Sequence, residues 1–244
     1  GWIHSRFVWH GDILFIYACC SFLLFFFRNL RPKAQFIIGC IIYVIPSFSN
    51  FALNAFIFDH LDNDDHKAIM EYWNPQKQEI QKEIDTYRGS YSEQIEYREK
   101  MWSSHKRGTP STGANGKAII GLSFLIDLFS RSFGMMLIGM AFFSLGIFSK
   151  SQQKILYHRL IKYGCGIGFP LSVGGLSLAY HYNWDWHYMQ FLGRTPNHIA
   201  TPFIAFGYIG IVMLCIKNGV ALKLQHKLKS VGKTALTGYL VQSF

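Results

Sequence analysis

The chain has 244 residues, of which 50% are hydrophobic, 17% aromatic and only 16% charged, whereas about a quarter of the residues are charged in a typical soluble domain. This composition argues against an intrinsically disordered chain and against an ordinary soluble enzyme. The net charge of +10 comes mainly from lysine-rich connections between apolar segments, which indicates membrane orientation and argues against nucleic-acid binding.

Apolar segments surround a single polar insert, which runs from Asp59 to Lys117 and contains 11 of the 14 acidic residues. Apolar runs of about 20 residues must form helices in a bilayer, because every backbone polar group there needs an internal partner. We therefore predict an all-α fold, a polytopic transmembrane helix bundle with an extracytoplasmic amphipathic helical insert. Its three parts are residues 1–58, 59–117 and 118–244.

The apolar pattern predicts six helical segments, and residues 1–8 resemble the end of a helix that precedes them. The segments are residues 13–27, 34–58, 118–148, 163–180, 199–216 and one that begins near residue 234. Pro46 is expected to kink the second segment. Because the sequence begins at Gly1 without an initiator Met and stops inside an apolar run, we expect a fragment of a longer protein whose first and last helices are truncated.

Three connections contain lysine and arginine but no acidic residue, and we predict that they face the cytoplasm. Their basic residues are Arg28, Arg31 and Lys33; Lys150, Lys154, Arg159 and Lys162; and Lys217, Lys223, Lys227, Lys229 and Lys233. The alternate connections, which are the polar insert and residues 181–197, are then predicted to lie outside. Within residues 180–188 the aromatic side chains are typical of a membrane-interface belt, which explains the histidines there without a metal site.

The polar insert has the signals of two short helices. Asn74 followed by Pro75 predicts a helix N-terminus, and Gly89 predicts its end. Ser90 and Glu93 have the spacing of a capping box that begins a second helix. We interpret the pair as amphipathic helices on the surface of the bundle or membrane, the alternative being solvated linker helices.

Ionisable residues within or beside membrane helices are candidates for function, because burying them in lipid is costly. His4 is the predicted general base, and Asp12 either orients it or caps the next helix. The alternative for His4 is a buried structural histidine. Asp127 and Arg131 have the i,i+4 spacing of an ion pair on one helix. They either neutralise each other, or Arg131 holds an anionic head group or substrate.

Four motifs in order make the chain resemble the YeiB-like family, whose C-terminal part is known as domain of unknown function 418. They are a Gly-x-x-His with a following Gly-Asp-Ile-Leu at residues 1–14, then residues 87–91 with Arg98, residues 134–141, and residues 232–243. The resemblance implies a bacterial, multi-pass inner-membrane protein that is distantly similar to transmembrane acyltransferases, including the heparan-glucosaminide N-acetyltransferase.

The resemblance also implies roles for residues and partners. His4 and Asp12 would be catalytic, and Arg6, Arg88, Asp127 and Arg131 would bind substrate, with no metal and no bound cofactor. Acyl-CoA is the expected donor, and a polar molecule outside the membrane is the expected acceptor. The protein itself is expected to contact the lipid bilayer. The sequence predicts no oligomeric state. Transport or flipping of a small polar or lipid-linked solute is the alternative function, and a non-catalytic scaffold that binds a partner through the insert is a third.

Overall fold

The computed structural model describes His4, residues 13–57, Asn63 and residues 76–106, 114–149, 152–185 and 188–242. Regular structure in these ranges is entirely helical, which confirms the predicted all-α class. The helices are α1 (Leu14–Phe27), α2 (Pro32–Ile57), α3 (Lys77–Arg88), α4 (Tyr91–Lys106), α5 (Ala114–Ser144), α6 (Lys154–His181), α7 (Thr195–Lys217), α8 (Leu222–Lys233) and α9 (Ala235–Val241). A π-helical turn, Met189–Gly193, precedes α7.

Three of the described helices are long and apolar enough to cross a membrane. Their apolar spans are Pro32–Ala52, Phe124–Ser144 and Thr195–Lys217. Large apolar side chains on these helices are exposed, such as Phe48 and Phe143, and they form the kind of surface that faces lipid hydrocarbon. The structure is therefore that of an all-α membrane protein. The predicted segments 13–27 and 163–180 lie in α1 and α6, and α9 begins next to the predicted start of the last segment.

Glycines bring the helices together in two close pairs. In the α6–α7 pair, a Cβ atom placed on Gly164 would lie 2.5 Å from the backbone nitrogen of Gly207. In the α2–α5 pair, a Cβ atom on Gly39 would lie 2.9 Å from the backbone oxygen of Gly134. Such backbone-to-backbone approach gives van der Waals contact in lipid, where no hydrophobic force joins helices. Gly164 and Gly168 have Gly-x3-Gly spacing, and a Cβ atom on either would lie within 2.6 Å of an atom of α7.

The lysine-rich residues 217–233 were predicted as a connection, and this prediction was wrong in one respect. Most of the segment forms helix α8. The physical reason is the spacing of Leu224, Leu228 and Val231, which places three apolar side chains on one helix face at i, i+4 and i+7.

The two insert helices have the predicted junction. The Ser90 backbone N–H donates to Glu93 Oε2 at 2.7 Å, and the Glu93 N–H donates to Ser90 Oγ at 3.4 Å. The capping box is therefore confirmed, as is Gly89 at the end of α3. The start of α3 was predicted wrongly, since the helix begins at Lys77 with Gln76 as its N-cap. Residues 74 and 75 lie outside the described residues.

We expect Ser90→Ala to destabilise α4 by about 1 kcal/mol, because it removes the side-chain acceptor of an N-terminal backbone N–H. Hydrogen–deuterium exchange of the first turns of α4 in the whole protein measures this loss. The control is Ser92→Ala, which removes a hydroxyl 3.0 Å from Ser90 Oγ but keeps both the Ser90 oxygen and the Glu93 carboxylate, and it should raise the exchange rates much less than Ser90→Ala. Equal exchange in the two variants would mean that the capping box does not stabilise the helix.

Candidate functional site

An open cavity of about 660 Å³ lies where α1, α2, α5 and the start of α7 meet. Its polar lining combines three charged side chains with hydroxyl groups from four helices, and apolar side chains of α5 complete the wall. The polar lining residues are Tyr17, Tyr43, Asp127, Arg131, Ser132, Arg194 and Thr201. The apolar ones are Phe124, Leu128, Met135 and Met136. The cavity therefore has one charged side and one apolar side.

Asp127 lies between two arginines. Its Oδ2 atom is 3.4 Å from Arg131 Nη1 and 3.4 Å from Arg194 Nη2. Asp127 is buried, with 8% of its surface exposed, whereas the Arg131 and Arg194 side chains are 38% and 41% exposed. One carboxylate and two guanidinium groups give the site a net charge of about +1, since arginine stays protonated.

The two guanidinium groups can bind more than the carboxylate between them. Each has five N–H donors in a planar fork, and a carboxylate oxygen shared between two arginines uses only a few of them. Carboxylate and phosphate groups match that fork with two parallel hydrogen bonds. The arrangement is therefore suited to an anionic group that enters from the open side of the cavity, with Asp127 holding the arginines in place.

The local sequence explains how each charged residue reaches the cavity. Asp127 and Arg131 are one turn apart on α5, as the i,i+4 spacing predicted. Arg194 comes from a different segment, between the π-helical turn Met189–Gly193 and α7. Such turns often occur at functional sites because the extra residue redirects the following side chains. Sequence analysis placed Arg194 in a connection but did not predict its contact with Asp127, which is 67 positions away.

Tyr43 and His198 join α2 to α7 at the edge of this cavity. The Tyr43 hydroxyl donates to the His198 carbonyl oxygen at 2.7 Å, and His198 Nε2 lies 2.7 Å from the Tyr43 carbonyl oxygen. The two rings stack with centroids 4.3 Å apart. Because a carbonyl oxygen can only accept, Nε2 must donate the proton. Among the described residues, His198 Nδ1 is buried and has no hydrogen-bond partner. Sequence analysis missed both residues.

The other residues predicted to be functional are not brought to this cavity. His4 is buried, and its ring centroid lies 5.4 Å from that of Tyr239 in α9. It is absent from the described residues that line the cavity. Arg88 is exposed at the end of α3. Arg6 and Asp12 lie outside the described residues, so their predicted roles stay predictions.

The insert helices carry ionisable groups of their own, which mainly pair with one another. Lys100 Nζ lies 2.7 Å from Glu96 Oε1, and this hydrogen bond and charge lower the pKa of the Glu96 carboxyl. Burial raises the pKa of the Tyr97 phenol, and the charge of Glu83 raises it further. These contacts organise the surface of α3 and α4 but form no group of converging donors like that around Asp127.

In the described part of the chain, no three His, Cys, Asp or Glu side chains lie close enough together to hold a metal ion. All five cysteines are free thiols. The charged cavity is the candidate functional site because it brings together charged side chains from α5 and from the segment before α7, which are far apart in the sequence.

Comparison with known proteins gives the same family as the motifs. Residues 142–244 match the family described as "Protein of unknown function (DUF418)". The chain is 25% identical over 249 residues to the "Uncharacterized protein YeiB" of Escherichia coli (strain K12), an alignment that covers 100% of the chain and 58% of YeiB. Its C-terminal part is thus similar to the YeiB-like DUF418 family. The match to DUF418 contains α6 to α9 and hence Arg194 and His198, whereas Asp127 and Tyr43 precede it.

A second relative is the "Uncharacterized protein YxaH" of Bacillus subtilis (strain 168). The two are 26% identical over 252 residues, covering 100% of the chain and 54% of YxaH. The chain thus spans about half the length of the curated relatives it matches. No solved structure matches it.

Proposed function

We propose that this chain forms part of a multi-pass acyltransferase of the bacterial inner membrane, and that the charged cavity binds the acceptor. The observation that carries the proposal is the arrangement of Asp127, Arg131 and Arg194. Two guanidinium groups, held by one carboxylate at the mouth of a partly apolar cavity, suit an anionic acceptor with an apolar portion. The acyl-transfer reaction itself comes from the family resemblance.

The predicted topology supports an acceptor outside the cytoplasm. Asp127 and Arg131 lie in the half of α5 that follows the polar insert, and Arg194 ends the connection 181–197. Both regions are predicted to be extracytoplasmic, whereas the lysine-rich connections are predicted on the opposite side. An acceptor would then meet the arginines outside, while the phosphates of acyl-CoA would be attracted to the lysines inside.

His4 is the proposed general base, and it does not line the charged cavity. The anionic group of the acceptor would lie on the arginines, and its reacting hydroxyl or amine would extend to His4. His4 would take the proton of the acceptor hydroxyl or amine as that group attacks the thioester carbonyl carbon, and the C–S bond would break to release CoA as a thiolate that takes up a proton. Asp12 would orient His4. The packing of His4 against Tyr239 supports a positioned imidazole, because a catalytic base must be held in one orientation.

The test uses the full-length protein in membranes, with labelled acetyl-CoA and an extract of bacterial envelope molecules as acceptors. We expect labelled product with the wild type, none with His4→Ala, and a loss of roughly tenfold or more with Arg131→Gln/Arg194→Gln, since each lost charged hydrogen bond is worth about 1.5–3 kcal/mol. The control is Lys77→Gln/Lys82→Gln, which removes two exposed positive charges from α3 and should keep activity. Product formation unaffected by the arginine changes would refute the acceptor site.

Transport of a polar or lipid-linked solute is the second candidate. It is favoured by prolines inside three long helices, Pro46, Pro170 and Pro202, because such interruptions occur where transporter helices open and close. Proteoliposomes containing the full-length protein would then show flux of an anionic solute without any covalent product. Labelled product without flux would favour the enzyme.

A further inference from the structure

Helix α8 is the basic amphipathic helix that follows α7. Its sequence contains four lysines and one histidine and no acidic residue; they are Lys223, His226, Lys227, Lys229 and Lys233. On the opposite face Leu224, Leu228 and Val231 are exposed by 54% to 64%. A short helix with exposed leucines on one face and lysines on the other is typical of a segment that lies in the plane of a membrane interface.

The corner between α7 and α8 is held by specific contacts. Gly219 and Ala221 both have left-handed backbone angles, with φ of 66° and 57°. The side chain of Gln225 bridges this corner. Its Nε2 donates to the Val220 carbonyl at 2.7 Å and to the Cys215 carbonyl at 3.3 Å. The Cys215 carbonyl lies in the last turn of α7 and Val220 in the turn that follows it, so Gln225 joins the start of α8 to the end of α7.

This corner encloses a groove of about 580 Å³ between the two helices. The groove wall is largely apolar, and its rim carries basic residues of α8. The apolar wall includes Ile211, Val212, Cys215, Ile216, Leu224 and Leu228, and the rim includes His226 and Lys229. The volume lies within the range of about 300–1,000 Å³ that small-molecule sites occupy.

We propose that this groove binds one acyl chain of an anionic phospholipid, whose head group contacts the lysines of α8. The charge of the helix selects the partner: a basic helix without acidic residues attracts the negative head groups of a bilayer leaflet. The groove accounts for the acyl chain of the lipid. An acyl chain that packs against α7 would contact both the exposed leucines of α8 and the apolar wall of the groove.

The lipid site is separate from the charged cavity. Thr201, which lines the charged cavity, and Ile211, which lines the groove, are ten residues apart on α7, a distance of about 15 Å along a helix. The two sites have no lining residue in common. The phospholipid is therefore a structural or regulatory partner of the protein, and its binding does not depend on the proposed acyl transfer.

The test measures phospholipid that stays bound to the full-length protein. The protein is purified from bilayers containing equal amounts of phosphatidylglycerol and phosphatidylcholine, and bound lipid is counted by native mass spectrometry. We expect the wild type to retain phosphatidylglycerol selectively. Lys223→Gln/Lys227→Gln/Lys229→Gln/Lys233→Gln should lower its retention about fivefold or more. Val212→Trp, which fills the groove but keeps every lysine, should lower it to a similar extent.

The matched control is Lys33→Gln/Lys154→Gln/Arg159→Gln/Lys162→Gln, which removes four positive charges from the N-terminal parts of α2 and α6 and should keep the bound lipid. Size-exclusion chromatography verifies that each variant is folded. Retention that falls equally in the control, or that is unselective in the wild type, would overturn the proposal. So would displacement of phosphatidylglycerol by palmitoyl-CoA, because the groove would then belong to a soluble donor.

Discussion

Gly164→Ala is expected to prevent tight packing of α6 against α7 and to reduce the yield of folded protein sharply. The added methyl carbon would lie 2.5 Å from the Gly207 nitrogen and 2.5 Å from the Phe203 carbonyl oxygen. Both are backbone atoms that cannot turn aside as a side chain could. The helices must separate, and overpacking of this kind costs about 3 kcal/mol or more, a large part of the total stability of a typical protein, about 5–15 kcal/mol.

The control for this prediction lies two residues away on the same helix. A Cβ atom on Gly166 would meet nothing within 4 Å, so Gly166→Ala should be neutral or slightly stabilising through the helix propensity of alanine. Thermal unfolding of the full-length variants in one detergent, followed by size-exclusion chromatography, compares them. If both variants unfold at the same temperature, the glycine contact does not stabilise the bundle.

Asp127→Ala is expected to destabilise the protein by about 2–3 kcal/mol, after allowance for the solvent that screens the half-exposed arginines. Arg131 and Arg194 would be left close together without the carboxylate that now contacts both. The same change should make the cavity a stronger anion site, so inorganic phosphate should raise the melting temperature of Asp127→Ala more than that of the wild type.

A double-mutant cycle separates the two effects. Asp127→Ala/Arg131→Ala removes one negative and one positive charge, and it should be less destabilised than the sum of the single variants, because the repulsion between the arginines is gone. The phosphate effect should also disappear in the double variant. Additive losses, or stabilisation by phosphate that is the same in every variant, would show that the three charges act independently.

Features set by neighbouring residues were predictable from the sequence. The capping box at Ser90 and Glu93 and the pairing of Asp127 with Arg131 depend on separations of three and four residues, which helix geometry alone brings together. The helical class followed in the same way, since apolar runs in lipid must satisfy their own backbone groups. The start of α3 and the helical state of α8 were less predictable, because short polar helices are decided by small energy differences.

Features set by packing were not predictable. Arg194 reaches Asp127 only because α7 packs beside α5, and one chain's residue order contains no information about that approach. The Tyr43–His198 contact joins residues 155 positions apart. The sequence shows that His198 stands next to an apolar segment, but it does not show that Tyr43 is its partner. Gly164 and Gly168 in α6 have the Gly-x3-Gly spacing of a packing motif, whereas Gly207 and Gly210 in α7 do not have that spacing.

The contact between Tyr43 and His198 also indicates which part of the chain can fold as an independent unit. The segment that matches DUF418 begins at residue 142, so Tyr43 falls before that boundary and His198 after it. A protein that began at this boundary would lack Tyr43. His198 would then lose the ring it stacks on, and its buried Nε2–H would lose its carbonyl acceptor. The region that matches DUF418 therefore packs against helices that precede it in the chain, and we expect it to need them for its full stability.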